Sequence, residues 1–152
     1  MIDHVWSVLC HEAEIDKSTN KVSLHSVVEQ VQVNSAPVPG GILPIRLNLV
    51  SLWIRRASDH PVIGSSRINF ISPSGKIMTL SEPGIDLSKT ERARHVVQIE
   101  GIPLGESGRY HFQVELKYSD EEWLQVASIP LSVSFSPPES SQDEVIAKSE
   151  SS

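Results

Sequence analysis

The run His11-Glu12-Ala13-Glu14-Ile15 comes within one residue of the zinc-protease pattern H-E-x-x-H. That pattern brings two histidines four apart onto one face of a helix to hold the metal, and its glutamate serves as general base. Here Ile15 stands where the second histidine belongs, and the flanking residues alternate with the period of a strand. The six histidines, at 4, 11, 25, 60, 95 and 111, form no tight cluster in sequence. Folding can bring one pair together. If the hairpin after residue 16 closes with a three-residue turn, Lys17 to Thr19, His11 stands opposite His25 and the two could act as metal ligands. With a turn one residue longer, His25 faces Glu12 instead. Two histidines without a third ligand make a weak site, and half-exposed strand histidines are the simpler reading.

The nucleophile and phosphate patterns fail on similar grounds. Ser72-Pro73-Ser74-Gly75-Lys76 lacks the upstream glycine and the Ser/Thr after lysine that a P-loop requires. Gly64-Ser65-Ser66-Arg67 is not G-x-S-x-G, and no helix follows it. Ser58-Asp59-His60 places three triad residue types side by side, but adjacency is not triad geometry, and Pro61 marks a turn. Cys10 sits inside an apolar strand and reads as inert core. No enzyme signature survives, and neither a cofactor nor a metal is expected. Among the tryptophans, Trp53 shares parity with Leu47 and Leu49 and reads as core. Trp6 and Trp123 are the candidates for an exposed interaction surface, for a protein or a sugar. Arg55-Arg56 and Arg92/Arg94 read as solvated strand ends rather than a basic patch.

Strands must position these groups, because period-two alternation recurs along the chain and helical periodicity does not. Residues 3–16 and 21–33 read as two strands joined by the polar turn "KSTN", the pattern of a hairpin. "VWSVLC" is apolar on both faces, so its outer face needs a cover, from a neighbouring subunit or a loop. In 21–33 the apolar parity switches, which predicts a bulge or bend near Ser26–Val28. "NSAPVPGGILP" (34–44), with three prolines and two glycines, reads as an inter-sheet crossover or binding loop. Strands follow at 45–56, 62–71, 93–102 and 109–118. "KIMTL" and "GIDLS" are short edge candidates, and "WLQVA" and "IPLSVSF" close the series. The turn "SPSG" (72–75) suits type I, with proline second and glycine fourth.

Composition sets the wider bounds. The chain of 152 residues is long enough for one substantial core, and 39% apolar against 21% charged residues is ordinary for a globular domain. The net charge is −6, and half of it comes from the Ser/Glu-rich stretch 136–152, read as a disordered tail after a β-domain at 1–135. A mildly acidic body is a poor match for nucleic acid. The single cysteine excludes an intrachain disulfide. No signal-like N-terminus, glycosylation sequon or spanning apolar run is present, so a cytoplasmic protein without membrane contact is expected.

"GESGRYHFQVEL" (105–116) is the most legible stretch. Tyr110, Phe112, Val114 and Leu116 alternate with polar residues, and Glu106-x-Gly108-x-Tyr110-x-Phe112 resembles the immunoglobulin D-x-G-x-Y-x-C corner with phenylalanine for cysteine. Together, "VWSVLCHEAEIDKSTNKVSLHSVVEQV" and "GIPLGESGRYHFQVELKYSDEEWLQVASIPLSV" resemble a family of small bacterial proteins of unknown function, over residues 5–135. The resemblance implies a β-sandwich and brings no active-site residue with it. The expected fold is all-β: an antiparallel two-sheet sandwich, immunoglobulin-like with Greek-key links, of about eight strands. The expected function is a non-enzymatic domain that binds an unknown protein partner or self-associates, with a small-ligand or carbohydrate-binding module as the alternative.

Overall fold

The computed structural model describes residues 1–56, 60–118 and 121–136. The stretch read as a disordered tail lies, apart from Ser136, outside the described residues. These form ten strands: β1 (Ile2–Ile15), β2 (Val22–Val27), β3 (Gln30–Val33), β4 (Leu43–Arg55), β5 (Val62–Ile71), β6 (Ile77–Ser81), β7 (Gly84–Leu87), β8 (Arg92–Ile102), β9 (Gly108–Lys117) and β10 (Leu124–Phe135). One sheet runs β2-β1-β4-β8. The other runs β3-β10-β9-β5-β6, with β7 also paired to β5. Every pairing is antiparallel except β3 with β10. The two sheets pack face to face, giving the all-β sandwich that alternation predicts.

Ten strands stand against the eight or so expected: the short candidates "KIMTL" and "GIDLS" are separate strands, the apolar run 21–33 divides between the sheets as β2 and β3, and "WLQVA" and "IPLSVSF" join as β10. Ser26 adopts φ 58°, and Val28 N–H donates to the Leu9 carbonyl at 2.9 Å. Beyond that kink the chain leaves the first sheet, and β3 joins the second. The parity switch therefore marks a change of sheet rather than a simple bulge. The inner faces meet in a core that includes Leu9, Leu47, Leu49, Trp53, Ile85, Leu87, Tyr110, Phe112 and Leu131, all essentially inaccessible. Burial of such side chains stabilises by about 1.5–3 kcal/mol each before entropy is counted.

The hairpin β1–β2 closes with the longer of the two turns considered. Ile15 pairs with Val22 and Glu12 with His25, so His11 does not face His25. Asp16 decides this: its Oδ1 accepts from Ser18 N–H and Oγ–H at 2.9 and 2.7 Å, and Asn20 takes φ 58° to complete a four-residue loop.

The same hairpin answers what covers the two-sided apolar strand. Trp6, Val8 and Cys10 of β1 share the outer face with Val50 and Leu52 of β4 and Val96 of β8. Arg94 stands two strands from Trp6, about 10 Å away, whereas an unbent β1 would put Asp16 about 33 Å from Trp6. Yet the Arg94 guanidinium donates to the carbonyl of Asn20 in the hairpin loop at 3.1 Å. The hairpin must therefore curl back across the outer face. Cys10 and Val50 are fully buried on that face, and Asn48, beside them, donates to the His11 carbonyl at 2.8 Å, where the strand bends away. The cover is the chain's own hairpin.

Candidate functional site

The near-match to a zinc-protease pattern lies on extended backbone, with His11 and Ile15 both exposed. His25 meets Glu14 at 2.9 Å on the hairpin surface, an exposed contact. Ser58 and Asp59 lie outside the described residues. Ser66 is buried and bonds the Pro83 carbonyl. Burial holds the Cys10 thiol above its usual range, so it stays protonated and unreactive near neutrality. Among the described residues no three of His, Cys, Asp and Glu converge as metal ligands would.

Two arginines depart from the reading as solvated strand ends. Arg55 donates to the Leu87 carbonyl at 2.9 Å, and Arg94 reaches Asn20; both Nε atoms are buried without a partner. Their guanidinium heads cap carbonyls of neighbouring segments. Arg56 pairs with Asp3, and Arg92 is exposed.

Trp53 is fully buried, as its parity predicts. Trp6 is half-buried opposite Leu52. Trp123, also half-buried, precedes β10 and lies under Arg67, whose guanidinium carbon is 4.2 Å from the ring centroid; Lys117 Nζ is 5.3 Å away. Arg67 anchors a polar network on the outer face of the second sheet. Its Nε donates to Glu115 Oε1 at 2.7 Å, Asn69 Nδ2 donates to Glu115 and to Gln113 at 2.9 Å, and Thr79 donates to Asn69 Oδ1 at 2.8 Å. These groups satisfy one another, and the cation occupies a face of Trp123 that a sugar ring would need.

An apolar cleft lies elsewhere, at the end of the sandwich where three connections meet. The 34–44 segment crosses from β3 to β4, as its composition predicts. Within it Gly41 N–H donates to the Val38 carbonyl at 2.8 Å, with Pro39 and then Gly40 at φ 76° between them. That is the proline-glycine order of a type II turn. The second wall is the β5–β6 hairpin, whose Gly75 N–H donates to Ser72 O at 2.9 Å, the bond expected of its tight turn. The third is the corner before β9. There Tyr110 Oη donates to the Glu106 carbonyl at 2.7 Å and accepts from Glu106 N–H at 3.1 Å. Gly108 takes φ 132°, and a Cβ on it would stand 2.9 Å from Pro73. Glycine is therefore required for the corner to pack against the hairpin. Burial raises the pKa of Tyr110 above the usual phenol range, which keeps the bridging hydroxyl protonated. Changing Tyr110 to Phe should cost about 1.5 kcal/mol by urea denaturation, because both Glu106 backbone groups lose a partner.

Between these walls is a cleft of about 530 Å³, floored by Phe70 and Tyr110, whose rings stack at 5.1 Å. Pro39, Gly40, Pro103 and Gly105 form one side, and Lys76, Ile77 and Met78 the other. Ile77 and Met78 are 65% and 41% exposed. The lining is chiefly apolar, and Glu106 at its rim accepts from Ser74 at 2.8 Å. The sequence marks the 34–44 loop as a candidate; it gives no sign that "KIMTL" stands across a cleft from it.

The sequence model of DUF6941, a family of unknown function, matches residues 5–134. The chain belongs to that family. The resemblance read over 5–135 is thereby borne out, and membership carries a fold with no assigned activity. No curated protein matches the chain. Among solved structures, a family 123 glycoside hydrolase from Clostridium perfringens is similar over 88% of this chain at 12% identity and TM-score 0.43. This chain spans only 27% of that hydrolase. The C-terminal domain of wzt is similar over 87% of this chain and 72% of its own length, at 10% identity and TM-score 0.45. The alkylpurine DNA glycosylase AlkC of Pseudomonas fluorescens is similar over 68% of this chain and 27% of its own, at 11% identity and TM-score 0.39. None of these likenesses is close enough to bear on function. No helix among the described residues is long and apolar enough to cross a membrane.

Proposed function

We propose that this domain is a non-enzymatic protein-interaction module that takes an extended apolar segment of a partner protein along β6, with one side chain seated in the cleft. The observation that carries the reading is the apolar cleft of about 530 Å³ opening beside a free sheet edge. Among the described residues β6 pairs only with β5, so its far edge presents backbone donors and acceptors to an added strand. Main-chain pairing of that kind supplies affinity, and a pocket for alternate side chains supplies selectivity. Ile77 and Met78, exposed on the two faces of β6, would flank the added strand. The chemistry of the cleft supports a binding role: Glu106 is held by Ser74, and the Tyr110 hydroxyl is held by the Glu106 backbone. The immunoglobulin-like reading belongs to the same proposal, supported by the tyrosine corner. So does a cytoplasmic setting, supported by the lone, buried Cys10.

Panning a displayed random-peptide library against the domain tests this. Enriched peptides should alternate apolar residues, and Met78→Asp should weaken them about tenfold or more in fluorescence anisotropy while leaving thermal stability unchanged. A library that enriches nothing, or peptides indifferent to both Met78→Asp and Ile77→Asp, would overturn it. A small apolar ligand is the second reading, favoured by a volume within the range of about 300–1,000 Å³ common for such sites. Thermal stabilisation by small molecules or sugars that Met78→Asp abolishes, with no peptide enriched, would select that reading instead.

A further inference from the structure

We infer that two copies of this chain associate through β8, joining their four-stranded sheets into one of eight strands. The surface is distinct from the cleft, and the inference stands whether or not a peptide binds there. β8 is one of the two edge strands of its sheet, β2 being the other, and at 11 residues against the 6 of β2 it is long for an unprotected edge. Among the described residues, its main-chain bonds outside the pairing with β4 are confined to its ends, at Arg92 and Ile102. Such an edge is a template for another strand.

The sequence of β8 says which strand fits. Arg92, Arg94, Val96, Gln98 and Glu100 share the outer face. An antiparallel partner related by a two-fold axis through Val96 sets Arg92 opposite Glu100 of the second copy, Arg94 opposite Gln98, and Val96 opposite itself. The axis repeats each unlike pair, so two Arg–Glu pairs flank a valine pair; Glu100, 3.3 Å from Arg46 of its own chain and still exposed, takes Arg92 of the other copy as a second cation. Shifting the axis to Arg94 sets two arginines face to face, and shifting it to His95 leaves Arg94 opposite valine. An axis at Val97 keeps an Arg94–Glu100 pair but sets Val96 against Gln98. Only the Val96 axis pairs opposite charges and also sets Val96, 41% exposed in the single chain, against an apolar residue. Directly opposed residues of this kind stabilise antiparallel pairing, and like charges there oppose it. A symmetric contact in which one strand meets itself is the isologous interface of a dimer.

Sedimentation equilibrium over a wide concentration range tests the association. The mass should rise from 16.8 kDa towards twice that value. Arg92→Glu should weaken the dimer about tenfold or more, because each new glutamate faces Glu100. Arg92→Glu with Glu100→Arg should restore it. Val96→Cys should give a disulfide-linked dimer under a mild oxidant, because a residue on the axis faces its own copy. Gln98→Cys should not, because it faces Arg94. All four positions are exposed, so folding of each variant is checked simply by circular dichroism. A wild-type chain that stays monomeric at every concentration would overturn the inference. So would a dimer indifferent to Arg92→Glu, or one cross-linked through position 98 and not 96.

Discussion

Replacing Glu115 with alanine should lower the free energy of unfolding by about 3 kcal/mol at pH 7, measured by urea denaturation. Glu115 and Arg67 face each other across β9 and β5, with side chains only 12% and 26% exposed. One carboxylate oxygen accepts from Arg67 Nε and Nη2, each at 2.7 Å, and from Asn69 Nδ2 at 2.9 Å. Alanine would leave a largely dehydrated guanidinium over Trp123 without its counter-ion, and would cost the nearly buried Asn69 one of two acceptors. Glu115→Gln keeps an acceptor oxygen in place and should cost roughly a third as much. The comparison that isolates burial is Arg46–Glu100, an ion pair of the other sheet at 3.3 Å with side chains 69% and 59% exposed. Glu100→Ala, compared with wild type at a concentration that keeps both chains monomeric, should change stability by less than about 0.5 kcal/mol. Equal losses for Glu115→Ala and Glu100→Ala would mean that water screens both pairs alike, and the network would then have no special weight.

That network also shows where the sequence stops being legible. Strand β9 can be read directly, because Tyr110, Phe112, Val114 and Leu116 face one core and alternate without interruption. The glycine corner can be read too, since Gly108 and Tyr110 act within five residues. What fails is whatever depends on register between distant strands. Arg67, Asn69, Glu115 and Gln113 look like ordinary polar positions until β5 and β9 are set side by side. The first hairpin had two registers compatible with its sequence, and the bonds made by Asp16 chose between them. The parity switch in 21–33 was visible, but alternation cannot separate a bulge from a change of sheet. The two-sided apolar strand correctly called for a cover; that the cover is the chain's own hairpin follows only from the Arg94–Asn20 bond. For the cleft, the proline-glycine loop could be seen, whereas its opposite wall depends on where β6 pairs. Trp123 was a reasonable candidate platform on composition, and only the stacking of Arg67 reduces its promise as a sugar site.

Acid should destabilise the fold well above the pH at which carboxylates protonate. His4 and His95 both lie on the inner face of the first sheet, partly buried, and burial lowers both pKa values below the ordinary 6.5. Each ring packs on Trp53, at centroid distances of 5.1 and 6.3 Å. His4 Nε2 is 2.7 Å from Ser7 Oγ, which is itself 2.6 Å from Ser51 Oγ, so a neutral ring suits a hydroxyl chain with no anion in it. Arg55, on the same face as Trp53, adds a further positive charge nearby. The sign follows from proton counting. A histidine whose folded pKa is depressed binds fewer protons in the folded state than in the unfolded one, between the two pKa values. Stability is therefore intact above about pH 6.5 and falls as pH drops below it, by at most about 2.7 kcal/mol per pH unit for two such groups. Asp3, Asp16 and Asp86 have lowered pKa values, each chiefly through side-chain hydrogen bonds. Their contribution is lost only below the ordinary carboxylate range, so the two windows separate. Urea titrations at pH 8, 7, 6 and 5 should show a flat region followed by a fall, and His4→Gln with His95→Gln should flatten that fall. A wild-type protein as stable at pH 5 as at pH 8 would show that both rings accept protons as freely in the folded chain as in the unfolded one. Burial against Trp53 would then not be what governs them.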